Sequence, residues 1–311
     1  MSEVYVHSIQ NTEMVSAAKA ETTVFSAYYE LTKPGITKMV VMSTAVGYYL
    51  AVEHFFQYIS QWQNIIHCIL TIIGTSLVCA GSSVMNHYLE REQDSRMQRT
   101  KNRPLPSGVV QPRQALIFGI ILAVVGLTAL SVINLFTVGL ALLTLLTYVV
   151  IYTPLKQKST VSLLIGAIPG ALPTLGGWVA VRNQISIESF VLFLILFFWQ
   201  MPHFLALSWM YKQDYEKGGF KMAAVLDKTG KKVAIQAIAY CVLLVVVSIL
   251  LKVYGATGNL YLAGTMLLGG SFLYSTLVFY KEISAVNARK VLLTSYAYLM
   301  GVFVLIFVDK V

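Results

Sequence analysis

Apolar runs of about 20 residues recur along almost the whole chain, and no other feature limits its fold as strongly. They lie near residues 36–53, 64–86, 115–133, 136–153, 162–181, 189–209, 233–251, 260–279 and 291–308. Each is close to the length a helix needs to cross the hydrocarbon core of a bilayer. Lipid cannot satisfy the backbone groups of an open sheet edge, so an all-α polytopic membrane protein with nine transmembrane helices is predicted. Charge agrees with this: 12% of the 311 residues are charged and 57% are hydrophobic, against about 25% charged in an ordinary soluble domain.

Lys and Arg near helix ends are retained on the cytoplasmic side. With nine crossings and the N-terminus inside, 20 of the 23 Lys and Arg fall on that side, and Arg182, Lys252 and Lys310 remain outside. The formal net charge of +9 therefore belongs to one face. Anionic lipid accounts for part of that charge, and a phosphate-bearing substrate would account for more. The C-terminus is expected outside, and the membrane is expected to be a bacterial plasma membrane. Residues 1–24 are polar and carry Glu3, Glu13 and Glu21. They have neither the apolar core of a signal peptide nor the acid-poor composition of a transit peptide. They are expected to form a flexible cytoplasmic arm, and residues 25–311 a single domain with cytoplasmic loops near 86–114 and 210–232. These two loops hold six of the 14 acids, so chemistry is expected on the inside face.

Asn86, Glu90 and Asp94 stand at i, i+4 and i+8, which places them on one face of a helix. Their oxygens suit magnesium, which is often held by one or two carboxylates together with substrate phosphates. A solvated, charge-balanced helix extension is the alternative. From Arg91 onward, Arg91, Arg96, Arg99, Lys101 and Arg103 run into Asn102-Arg103-Pro104-Leu105-Pro106-Ser107-Gly108, where the prolines and glycine end the helix. A stiff basic turn facing a metal can grip a diphosphate, whereas polybasic lipid binding explains the bases but not the aligned acids. Tyr152 and Lys156 lie one helical turn apart, either as a ligand pair or as an interfacial tyrosine and a snorkelling lysine. Gly166, Gly170, Gly176 and Gly177, with Pro169 and Pro173, mark run 162–181 for close helix packing, for a kinked cavity wall, or for both. Cys68, Cys79 and Cys241 have no metal-ligand spacing and read as packing residues. Of the five histidines, His7 and His54 read as exposed and His67 lies near the outer end of the second run, which leaves His87 and His203 as candidates, although a hydrogen-bonded packing role is the usual one for a histidine in an apolar helix.

The Asn-x-x-x-Glu-x-x-x-Asp helix end and the basic turn resemble the UbiA superfamily of intramembrane prenyltransferases, with Glu90 in place of the usual middle aspartate. The stretches 94–108, Tyr152-Thr153-Pro154-Leu155-Lys156, 166–173, Gln200-Met201-Pro202-His203 with Asp214, and Leu31-Thr32-Lys33-Pro34 are similar to its heme-farnesylating branch. That resemblance implies helices around a central cavity and a Mg²⁺ cofactor held by Asn86, Glu90, Asp94 and, from the thinned second motif, Asp214. It implies diphosphate binding by Arg91, Arg99, Lys101, Arg103, Tyr152 and Lys156, with His203 and His87 as heme-binding candidates. The implied donor is farnesyl diphosphate and the implied acceptor the 2-vinyl group of heme B, with addition of water to give heme O. Membrane lipid and a downstream heme-modifying enzyme or terminal oxidase are the expected partners, and nucleic acid is not. A family member acting on an aromatic quinone precursor, and a membrane transporter, are the rival readings; for a transporter the helix centres carry too little charge.

Overall fold

In the computed structural model, which describes residues 23–311, every apolar run is a helix. The expected arm, residues 1–24, lies almost wholly outside the described residues. In chain order the helices are α1 (Val24–Leu31), α2 (Pro34–Ala51), α3 (Phe55–Ile59), α4 (Trp62–Arg96), α5 (Pro112–Ser131) and α6 (Leu135–Leu155). They continue with α7 (Ser162–Arg182), α8 (Ile187–Met210), α9 (Lys212–Lys217), α10 (Ala223–Leu226), α11 (Lys231–Val253), α12 (Asn259–Lys281) and α13 (Ala285–Val308). The 35 residues of α4 span about 52 Å at 1.5 Å per residue. That exceeds the ~30 Å hydrocarbon core, so the last turns of α4 carry Asn86, Glu90 and Asp94 toward the membrane boundary.

Among the described residues, eight helices are long and apolar enough to cross a membrane, which corrects the count of nine. The exception is α2, whose 18 residues include Thr37, Lys38, Ser43 and Thr44. It still runs between the two ends of the bundle. Its first turn adjoins Lys33, which reaches Asn86, and at its far end Arg182 Nε donates to the Ala51 carbonyl at 2.6 Å. The Lys310 ammonium meets the carbonyls of Tyr49, at 2.8 Å, and of Val52. Arg182 and Lys310, two of the three bases expected on the outer side, thus gather at one end.

Small residues bring the helices together where lipid supplies no hydrophobic drive between them. A Cβ on Gly47 would lie 2.0 Å from the Thr174 carbonyl oxygen, and one on Gly177 2.0 Å from that of Thr44, so α2 and α7 pack backbone to backbone. The same holds for α4 and α5, where a Cβ on Gly81 would meet the Gly119 oxygen at 2.6 Å. Gly166 and Gly170 instead make room for the side chains of Tyr152 and Gln200. Close packing and space for interior groups therefore coexist on α7. The main core lies among α7, α8, α11, α12 and α13, with Leu192, Ile195, Phe272 and Tyr298 buried. Cys68, Cys79 and Cys241 are free thiols.

Candidate active site

The last turns of α4 hold Asn86, Glu90 and Asp94 at 1%, 5% and 1% exposure, so they are not a solvated charged extension. An unpaired buried charge is expensive, and each of these side chains has a cationic partner from another segment. Lys33 Nζ donates to Asn86 Oδ1 at 2.5 Å. Lys156 forms an ion pair with Glu90. Arg103 Nη1 donates to Asp94 Oδ2 at 2.8 Å.

Local structure explains how the partners arrive. Lys33 takes the left-handed conformation (φ 48°, ψ 65°) that caps α2 ahead of Pro34. Such backbone is uncommon outside glycine and costs roughly 1–2 kcal/mol. Residues Thr147–Tyr152 of α6 form a π-helical turn, a feature that often marks functional positions. Tyr148 and Tyr152 stack there with ring centroids 5.5 Å apart, and Thr153 donates to the Tyr148 carbonyl at 2.8 Å. Lys156 follows, its ammonium 4.8 Å above the Tyr152 ring and 5.3 Å from that of Phe220. Thr153 also accepts from Asn86 Nδ2 at 2.9 Å, which leaves Oδ1 as the amide atom that faces Lys33. Arg103 is brought in by the loop after α4, where Thr100 Oγ1 donates to the Asp94 carbonyl at 2.9 Å.

Electrostatics follow from this pairing. Burial pushes the Lys33 ammonium down to about 7; Glu90 opposes that shift and Arg103 and Lys156 add to it. Burial acts against Lys156 as well, but the adjoining Glu90 carboxylate holds it well above the ordinary lysine range.

Several expected residues are placed elsewhere. Arg91 turns back on its own helix, donating to the Tyr88 carbonyl at 2.7 Å and lying over the Tyr88 ring. Arg99 stacks on Tyr211 at 5.0 Å, and Lys101 is exposed. Asp214 accepts the backbone N–H groups of Gln98 and Arg99 at 3.1 and 3.3 Å, so its carboxylate clamps the basic loop. His87 lies beside the acids, Nδ1 3.8 Å from Asp94 Oδ2. His203 faces α13: Nδ1 is 2.7 Å from the Ser295 hydroxyl, and Tyr296 lies edge-on. Trp199 donates its indole N–H to the Ser295 carbonyl at 2.7 Å. Lys33 and Thr153 join the site without having been assigned a role from sequence. The lysine directly before Pro34 at a helix start was the available signal.

Among the described residues no three His, Cys, Asp or Glu side chains form a metal cage. Two carboxylates and a carboxamide oxygen converge instead. Asp94 Oδ1 is buried with no hydrogen-bond partner among the described residues. Hard oxygens with one position open suit Mg²⁺, which keeps water or substrate oxygens in the rest of its shell.

Known proteins share this arrangement of helices. The UbiA prenyltransferase family matches residues 40–303. A protoheme IX farnesyltransferase of Solibacter usitatus is 41% identical over 91% of this chain and 98% of its own length. One of Myxococcus xanthus is 37% identical over 96% and 99%. Among solved structures, a UbiA homolog from Archaeoglobus fulgidus bound to GPP and Mg²⁺ has a TM-score of 0.65 at 15% identity, over 91% of this chain and 100% of that one. A digeranylgeranylglyceryl phosphate synthase structure reaches 0.75 at 22% identity, over 92% and 98%. With a family match across most of its length and relatives that it spans almost end to end, the chain belongs to the UbiA prenyltransferase family.

Proposed function

We propose that the protein transfers a farnesyl group from farnesyl diphosphate to the 2-vinyl group of protoheme IX, with addition of water, giving heme O and diphosphate. The observation that carries the donor half is the buried oxygen face of α4 with its three cationic partners. Heme as acceptor is supported by the relatives named protoheme IX farnesyltransferase, which this chain covers over 98% and 99% of their lengths.

Asn86, Glu90 and Asp94 would hold Mg²⁺. Bound there, the metal would neutralise charge on the leaving diphosphate. Arg103 and Lys156 would bind diphosphate oxygens, with Arg offering a planar fork and Lys a point charge. Tyr152 and Phe220 flank the Lys156 ammonium and orient it. The allylic C–O bond breaks with its electron pair leaving on diphosphate. The vinyl carbon forms the new C–C bond, a water oxygen bonds to the adjacent carbon, and one proton is released. Fixed charges in a water-poor site favour the ionisation, because they need not reorganise as charge develops. Asp214 would act by holding the Gln98–Arg99 backbone, and thereby Arg103, in place. The site end would face the cytoplasm of a bacterial plasma membrane, where the excess of Lys and Arg lies.

Purified protein supplied with heme B, farnesyl diphosphate and Mg²⁺ should yield heme O, identified by mass spectrometry. Prenylation of an aromatic acid with no heme O would transfer the assignment to a quinone-precursor acceptor. No prenyl transfer to either would overturn the activity.

A further inference from the structure

We propose that a cavity between α7 and α11 is a binding site for one anionic glycerophospholipid, and that the lipid held there steadies the segment packed around Lys156.

α8 packs against both α7 and α11, and a cavity of about 370 Å³ opens between those two flanking helices. Its inner wall is apolar and closed, with Met201 of α8 at 1% exposure and Val233 of α11 at 0%. Lys232, Gln236 and Tyr240 line it at i, i+4 and i+8 of α11, which sets them in a column along one face of that helix. From ammonium to phenol the column descends about 12 Å at 1.5 Å per residue. One leaflet of a ~30 Å hydrocarbon core is about 15 Å deep. Leu163 and Leu164 face the column from α7, and Tyr240 stacks on Phe198 with ring centroids 6.4 Å apart. A cation at the boundary with apolar wall below it is the gradient of an anionic headgroup and its acyl chain.

Charge favours an anionic lipid over a zwitterionic one. Residues 212–232 hold six lysines against three acids, and among the described residues Lys228, Lys231 and Lys232 have no ion-pair partner. The carboxylate in the lining, Asp227, is already engaged. It accepts from the N–H and hydroxyl of Thr229 at 3.1 and 3.0 Å and from the Val233 N–H at 3.1 Å. Val161 and Leu226 also line the cavity and are 50% and 62% exposed, so its rim offers apolar surface to a chain.

The same cavity adjoins the candidate active site through one short stretch of chain. Lys221 N–H donates to the Lys156 carbonyl at 2.8 Å, and the Phe220 ring lies 5.3 Å from the Lys156 ammonium. Phe220 and Met222 pack with Met97, just after α4. The next residue, Ala223, begins α10 and lines the cavity together with Leu226. A lipid filling the space against these two residues restrains α10 and, through it, the groups around Lys156. Turnover then depends on lipid charge; that consequence rests on the prenyl transfer proposed above, whereas the lipid site does not.

Native mass spectrometry of the full-length protein in neutral detergent, with phosphatidylglycerol or phosphatidylcholine added at equal concentration, reads the site directly. One phosphatidylglycerol should be retained per chain, and phosphatidylcholine far less. Lys232→Gln, at an exposed position, should weaken retention about fivefold, the effect of one lysine beside an anionic surface. Leu164→Trp should abolish it by filling the cavity, and Arg113→Gln at the start of α5 should leave it unchanged. In vesicles, phosphatidylglycerol mixed into phosphatidylcholine should raise heme O formation several-fold, and Lys232→Gln should remove most of that rise. Equal retention of the two lipids, or retention indifferent to Lys232 and Leu164, would overturn the site. Displacement of the lipid by farnesyl diphosphate would overturn it in favour of the substrate's own chain, and a dimer in place of the lipid adduct in favour of a second copy of the protein. Retention without any change in turnover would overturn the coupling to Lys156. Lipid retained but no heme O formed in any vesicle would count against the proposed activity and leave the site standing.

Discussion

Asp94→Asn separates the chemistry of the α4 face from its contribution to stability. Asp94 is 1% exposed and accepts from Arg103 Nη1 at 2.8 Å, while Arg103 is 23% exposed. Removing one partner of a fully buried ion pair costs roughly 3–5 kcal/mol, and removing one from a surface pair about 0–1. Because the guanidinium can rehydrate from its open side, the expected loss is about 1–2 kcal/mol. Asparagine keeps the shape of the side chain, and the Thr100 bond to the backbone carbonyl of residue 94 survives. Turnover should fall much further, since one preorganised electrostatic contact to a reacting group is worth roughly 10²–10³-fold in kcat. Heme O formation by mass spectrometry at saturating substrates gives the rate, and a fluorescence-detected melting curve in detergent gives the stability. A folded variant that turns over within about threefold of the parent protein would refute the assignment of Asp94 to the reaction.

Gly166→Ala places a Cβ 2.4 Å from Tyr152 Cε2, so the ring below the Lys156 ammonium must shift. KM for farnesyl diphosphate should rise several-fold, with about 1–3 kcal/mol of overpacking cost in the melting curve. Asp214→Asn weakens two backbone contacts, each worth about 0.5–1.5 kcal/mol, so trypsin should cut after Arg99 and Lys101 markedly faster than in the parent protein. Asp227 opens α11: burial would raise its pKa, but hydrogen bonds from Val233 N–H, from the hydroxyl and N–H of Thr229, and from Gly230 hold it below its ordinary 3.8. A depressed carboxylate stabilises fully above its unfolded pKa and loses that contribution as pH falls through the folded one. Hydrogen exchange in residues 231–236 should therefore accelerate below about pH 4, and Asp227→Asn should remove that step.

The helices were legible because a bilayer imposes their length, and the runs survive as α2, α4–α8 and α11–α13 with small shifts at their ends. Only α2 departs from the apolar pattern, since its hydroxyl residues answer to tight packing on α7 rather than to lipid. Asn86, Glu90 and Asp94 were legible because helical spacing alone aligns them. Their burial was not, because it depends on a loop and on the end of α6 closing over them. The basic run announced cations without saying which would turn inward; Arg103 does, while Arg91 and Arg99 stack on tyrosines. Asp214 was expected to be a metal ligand, and its contacts with the Gln98 and Arg99 backbone were not legible, because a carboxylate that binds backbone N–H groups leaves no mark on the residues it binds.

Charge pairing also explains how so apolar a chain assembles its site. Glu90 and Asp94 are nearly inaccessible on α4, where a charged group without a partner is expensive to bury. Their partners come from Lys156 and from Arg103, and Asn86 is bridged to Lys33 across 53 residues of sequence and to Thr153 across 67. No single helix pair brings these groups together: the acids are neutralised when the end of α6 and the loop after α4 have docked, and the Asn86 amide oxygen gains its partner when the α1–α2 turn has. The groups that would hold metal and diphosphate are thus the same groups that fasten these segments around the end of α4. Loosening any one segment leaves a buried oxygen of α4 without its cationic partner. Metal and diphosphate bound by these groups, as proposed, would act on the joint that holds this end of the protein together.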